Sequence, residues 1–115
     1  MLELAFETKE LRTLCERAAD ADRSLGAAVA ETLRRRLADL RAANSVYDVL
    51  AGRPRPLDGQ DRGRVALELR DGCRLVVAAN HARNPLTGDG TPDWTRVTRV
   101  RLVRIETADE HPHGC

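Results

Sequence analysis

Aromatic side chains make up only 3% of this 115-residue sequence, so whatever core it builds is aliphatic, from Leu, Val and Ala with a little Ile and Phe. No apolar run approaches the roughly 20 residues needed to span a bilayer. The opening Met1-Leu-Glu-Leu-Ala-Phe-Glu7 lacks a basic stretch followed by a hydrophobic one, so no secretory leader is expected and the cytoplasm is the expected location. Cysteine is sparse. Cys15, Cys73 and Cys115 are odd in number and widely spaced, which argues against a disulfide framework and a zinc knuckle; Cys15 and Cys73 read as small apolar residues. Lysine is nearly missing as well: Lys9 stands alone among 19 basic residues, leaving 18 arginines. Codon bias accounts for a choice of arginine over lysine, but not for where the arginines gather.

Length and composition indicate one soluble domain over residues 1–115, with 42% apolar and 32% charged residues. The net charge of +1 conceals an uneven distribution. Residues 1–52 carry 8 basic and 9 acidic side chains, residues 53–104 carry 11 arginines against 6 acids, and residues 105–115 carry 3 acids and no cation. A basic second half suits a polyanionic partner, and an acidic tail can screen it.

Leu2, Leu4 and Phe6 alternate with Glu3, Ala5 and Glu7, the period of a half-buried strand. Thr8 can cap a first helix carrying Leu11, Leu14, Cys15 and Ala18 at helical spacing, and Ser24-Leu-Gly26 reads as a turn. Val29, Leu33, Leu37 and Leu40 form the stripe of a second helix ending near Ala43-Asn44, with Arg34, Arg35 and Arg36 on its solvated side. Ser45 to Leu50 has the spacing of a short third helical turn. Two prolines keep Arg53-Pro-Arg-Pro-Leu-Asp-Gly59 extended. Val65, Leu67 and Leu69 make one strand, and Cys73, Leu75, Val77 and Ala79 the next, joined by the favoured hairpin turn Asp71-Gly72. A long polar loop spans 80–96. The final strand runs from about Val97 to Glu106, its alternation slipping between Leu102 and Val103, so it is either buried on both faces or bulged. Residues 107–115 read as a flexible tail.

This α+β order, β-α-α-(short α)-β-β-β, with a helical hairpin on a mainly antiparallel sheet of about four strands, resembles the HigB-type killer proteins of the RelE/ParE toxin superfamily. The resemblance is carried by Leu11-Arg-Thr-Leu-Cys-Glu16, Leu37-Ala-Asp-Leu-Arg-Ala-Ala-Asn44, and Gly52-Arg-Pro-Arg-Pro-Leu-Asp-Gly59 beside the family's Pro-Leu-Lys-Gly stretch. Arg62-Gly-Arg-Val-Ala-Leu-Glu-Leu69 with Arg74-Leu-Val-Val77, Asp93-Trp94 before Val97-Thr98, and the ending Ile105-Glu106 complete it. It implies the toxin of a type II toxin–antitoxin pair: a ribosome-dependent messenger RNA endonuclease that needs no metal or cofactor. The implied partners are the ribosome, its message and a HigA-like helix-turn-helix antitoxin. Such enzymes direct the 2′-hydroxyl at its own phosphate, which requires a base, an acid and positive charge on the phosphate.

Arginine suits the last task, because its fork holds two phosphate oxygens at once. Arg74, Arg62 and Arg64 of the hairpin are therefore the expected catalytic cations, with His111 and His113 as acid and base; Arg53, Arg55, Arg99 and Arg101 are expected to bind RNA. Each has a plainer alternative. Arg74 can be a strand arginine paired across the hairpin with Glu68, Arg62 and Arg64 loop arginines, and the histidines part of a frayed tail. His111-Pro-His113-Gly-Cys115 offers three potential metal ligands without a preorganised cage, so no metal is expected. His81 reads as a loop histidine and Trp94 as an anchor for the long loop. A ParE-like inhibitor of DNA gyrase, or a member that only binds its antitoxin, fits the same architecture. Asp58, where the family carries lysine, favours the last.

Overall fold

A computed structural model describes residues 1–106, to which all of the following refers. Strand β1 (Glu3–Phe6) leads through Thr8 into α1 (Lys9–Glu16). The Thr8 hydroxyl accepts from the Leu11 amide at 3.0 Å, the cap that the sequence promises. The first helix does not continue. Arg17 is extended, with φ −114° and ψ 110°, and a separate α2 follows (Ala18–Leu25). The break exposes Ala18, which a continuous stripe would bury, and turns Ala21 and Leu25 inward instead. Between Cys15 and Leu25 no large apolar side chain holds a straight helix onto the core, so the chain gains more by rephasing. Gly26, at φ +85°, makes the corner into α3 (Ala27–Ala42), whose Val29, Leu33, Leu37 and Leu40 are all buried. The layer thus has three helices where two were expected.

Two short 3-10 turns (Val46–Asp48 and Leu50–Gly52) stand in for the anticipated third helical turn. The proline segment contributes a strand of its own, β2 (Arg55–Pro56), pairing with Val65 and Ala66. A strand containing proline survives there because it lies at the sheet edge, where an absent amide breaks no outer ladder. A further 3-10 turn (Gly59–Asp61) precedes β3 (Val65–Glu68), β4 (Arg74–Ala79) and β5 (Arg99–Glu106). The sheet is mixed and open, with five strands rather than about four, in the order β1-β5-β4-β3-β2; β1 runs parallel to β5 and the other pairs are antiparallel. Asp71 and Gly72 both take positive φ, 57° and 81°, as a type I′ hairpin turn requires.

One face of the sheet packs Val65, Leu67, Leu75, Val77, Val100 and Leu102 against α3. Trp94 is buried at the rim of this core, and the Ser45 hydroxyl donates to its carbonyl at 3.0 Å, tying the long loop to the end of the helical layer. Cys73 is buried and, against expectation, is not a free thiol; among the described residues the free one is Cys15. No described helix is long and apolar enough to cross a membrane.

Candidate nucleic-acid interface

Side chains alternate across a pleated strand, so the register decides which arginines share the face turned away from the helices. Arg74 is opposite Glu68 on one side and Glu106 on the other. Farther along β5, Val76 faces Arg104 and Val77 faces Leu102, leaving Val103 as an extra residue. That bulge settles the slip in the β5 alternation. It keeps Leu102 and Ile105 with the core while turning Arg104 and Glu106 to the arginine face. Arg101, opposite Ala78, and Arg99, two residues before it, take the same face.

Two of these arginines, Arg74 and Arg104, are joined with Arg64 by two carboxylates. Glu106 Oε1 accepts from Arg74 Nε at 2.5 Å, and Oε2 from Arg104 Nε at 2.9 Å. Asp61, delivered by the 3-10 turn before β3, receives Arg104 Nη1 at 3.1 Å on Oδ1 and Nη2 on Oδ2. Arg64 Nη1 donates to the same Oδ1 at 3.0 Å. The sequence Arg64–Asp61–Arg104–Glu106–Arg74 therefore crosses the sheet as an unbroken alternation of charge. Its side chains retain about a quarter to a third of their full exposure, which leaves them open to a ligand.

Hydrogen bonds from Arg104 lead in holding the Asp61 carboxyl below the usual carboxylate range, with Arg64 assisting against the opposing effect of burial. Burial alone would raise Glu106, but hydrogen bonds from Arg104 and Arg74 outweigh it and hold that carboxyl low as well. Arg104 is driven further up by Asp61 first and Glu106 second. Near neutrality all these groups are charged. They can grip and polarise an oxyanion, but neither acid is poised to carry a proton.

The other expected residues are dispersed. Arg62 turns from the row, its Nη2 donating to the Asp89 carbonyl at 3.4 Å, beside a cleft of about 250 Å³ that Arg64, Tyr47, Asp58 and Trp94 also line. Arg53 is exposed and lies 3.9 Å from Glu68, and Arg55 is exposed on β2. Arg99 pairs with Glu3 at 3.3 Å, and Arg101 Nε lies 2.5 Å from Glu7 without hydrogen-bond alignment. Arg74 does take a carboxylate partner, though it is Glu106 on β5 rather than Glu68 across the hairpin. His111 and His113 lie outside the described residues. His81 Nε2 accepts from the amides of Thr98 and Arg99, at 3.1 and 3.3 Å, and so stitches the long loop to the start of β5.

Arg104, Asp61 and Glu106 were not singled out from the sequence. For Arg104 the signal was present: reading the β5 slip as a bulge after Leu102 puts it beside Arg74. Asp61 had none, because only the folded 3-10 turn carries it over the sheet. Among the described residues no group of three His, Cys, Asp or Glu side chains is arranged to hold a metal ion. Comparison of the chain with protein-family models, curated proteins and solved structures found no match.

Proposed function

We propose that this protein is a RelE/HigB-like toxin that cleaves messenger RNA on translating ribosomes in the cytoplasm and is neutralised by a HigA-like helix-turn-helix antitoxin. The observation that carries the reading is the row of Arg64, Arg104 and Arg74 on one sheet face, placed by the residue leading into β3 and by strands β5 and β4, and reachable from outside. The architecture supports it: an N-terminal strand beside the last strand, helices on the opposite face, and the basic hairpin on the other side of the last strand. In this reading Arg74 and Arg104 take the non-bridging oxygens of the scissile phosphate. The 2′-oxygen attacks phosphorus, the 5′-oxygen leaves, and the two guanidiniums stabilise the added negative charge at phosphorus. His111 and His113 remain the proposed proton carriers, with Arg62, Arg53 and Arg55 along the RNA path.

Induced expression in bacteria tests the proposal. Translation should stop and messages should be cut, and Arg74→Ala should relieve both. Intact messages alongside verified soluble protein would refute it.

A second reading is favoured by one feature. Arg64, Arg74 and Arg104 are each already paired with a carboxylate, and no described side chain on the face is tuned for proton transfer near neutral pH. A protein that only binds, either to its antitoxin or in the ParE manner to gyrase, needs no proton carrier. A supercoiling assay run beside the RNA assay separates these cases.

A further inference from the structure

Glu106 sits at the end of β5 with its two oxygens on different guanidiniums: Oε1 on Arg74, and Oε2 on Arg104 through both Nε at 2.9 Å and Nη2 at 2.7 Å. A planar anion whose two oxygens are shared between two arginine forks is the arrangement in which arginines hold the two non-bridging oxygens of a phosphodiester. We infer that Glu106 is a built-in phosphate mimic, filling the oxyanion site formed by Arg74 and Arg104, and that an RNA phosphodiester enters this site by displacing it. The inference rests on the RNA-directed reading above and deepens it by naming the residue that controls occupancy of the site.

The two carboxylates of the row differ in what holds them. Asp61 belongs to a turn fixed by its own backbone: its amide donates to the Asp58 carbonyl at 3.2 Å, and its carbonyl accepts from the Arg64 amide at 2.9 Å. Gripping both outer nitrogens of Arg104, Asp61 positions that guanidinium whether or not a ligand is present. Glu106 is the last described residue of β5, and rotation of its side chain toward solvent breaks no ladder bond, because the ladder is made by the backbone. Burial opposes its charge, and hydrogen bonds from Arg104 and Arg74 favour it. The same two cations would hold a phosphate oxyanion as readily. The row is thus closed to loosely attracted polyanions and opens to one that supplies further contacts along Arg64 and Arg62.

The test measures binding of a fluorescein-labelled, uncleavable 2′-O-methyl oligoribonucleotide by fluorescence anisotropy. Glu106→Gln should bind about tenfold more tightly than the parent, because a like charge at the phosphate position has been removed. The gain should vanish when Arg74→Ala is added. Unchanged or weaker binding by Glu106→Gln, with a parent-like thermal melt, overturns the inference and leaves a structural tie. If Glu106→Gln does not fold, Glu106→Asp carries the test: its shorter side chain cannot span both guanidiniums, so binding should tighten, and an unchanged affinity overturns the inference. Inorganic phosphate separates the two sources of the same chemistry. An RNA site releases the probe only where sodium chloride of equal ionic strength does so, and release well below that point overturns the RNA assignment. RNA cleavage is followed separately. A binding gain without cleavage by the parent protein removes the toxin reading and keeps the anion site; cleavage without a gain does the reverse.

Discussion

Replacing Arg36 by methionine should destabilise the fold by about 2 kcal/mol, although Arg36 lies within what reads as a solvated arginine run. Arg34 and Arg35 are 44% and 72% exposed and pair with Asp22 and Glu31 along the helical surface. Arg36 is only 14% exposed, and its Nε donates at 3.0 Å to the carbonyl of Glu68, at the end of β3. Its stem passes Gly52, where an added Cβ would meet Arg36 Cδ at 3.3 Å and Leu67 Cδ2 at 3.2 Å. Methionine keeps most of that apolar stem and removes the donor. A hydrogen bond from a charged group contributes about 1.5–3 kcal/mol, and the abandoned carbonyl is only partly able to find water. The Asp39 ion pair, at 3.7 Å and half exposed, adds little. With a urea m-value of about 2 kcal/mol/M, the unfolding midpoint should fall by about 1 M without a change in slope. Arg35→Met should shift it by less than about a quarter of that. If the two variants unfold together, Arg36 does not tie the helix to the sheet.

Two further outcomes follow from the charged row and the free thiol. Asp61 and Glu106 have depressed pKa values in the fold, so their stabilising effect is complete above the unfolded carboxylate range of about pH 4 and is lost as pH falls through the lower folded values. Urea midpoints recorded from neutral to strongly acid pH should therefore drop less steeply for the double variant Asp61→Asn with Glu106→Gln, and parallel acid limbs would disprove the linkage. Burial leads in pushing the Cys15 thiol up to about 11, with Glu16 adding to the effect and Arg41 opposing it. At pH 8 its alkylation, followed by peptide mass spectrometry, should be about 100-fold slower in the native protein than in urea, and equal rates would show the thiol to be accessible.

The architecture was readable where side-chain period and turn chemistry act locally. The alternation of Leu2 to Glu7, the Thr8 cap, the Val29–Leu40 stripe and the Asp71-Gly72 turn each specify an element without help from distant residues. The failures share a different cause. Arg17 lies within a helical spacing that continues through Ala18, and only the need to bury Ala21 and Leu25 against the rest of the core breaks the helix there. Arg55-Pro56 carries no strand period; it becomes β2 because the free edge of β3 is available for pairing.

The candidate site divides in the same way. Composition alone concentrated arginine in the second half of the chain and pointed to an anionic partner, since net charge and its distribution need no coordinates. Which arginines act together was decided by packing. The extra residue at Val103 sets Arg104 and Glu106 on the face of Arg74, and the turn ending at Asp61 lays a carboxylate between Arg104 and Arg64. The charge is a sum over the sequence, but the grip depends on distances between residues as many as 43 positions apart, and those exist only once the strands are paired.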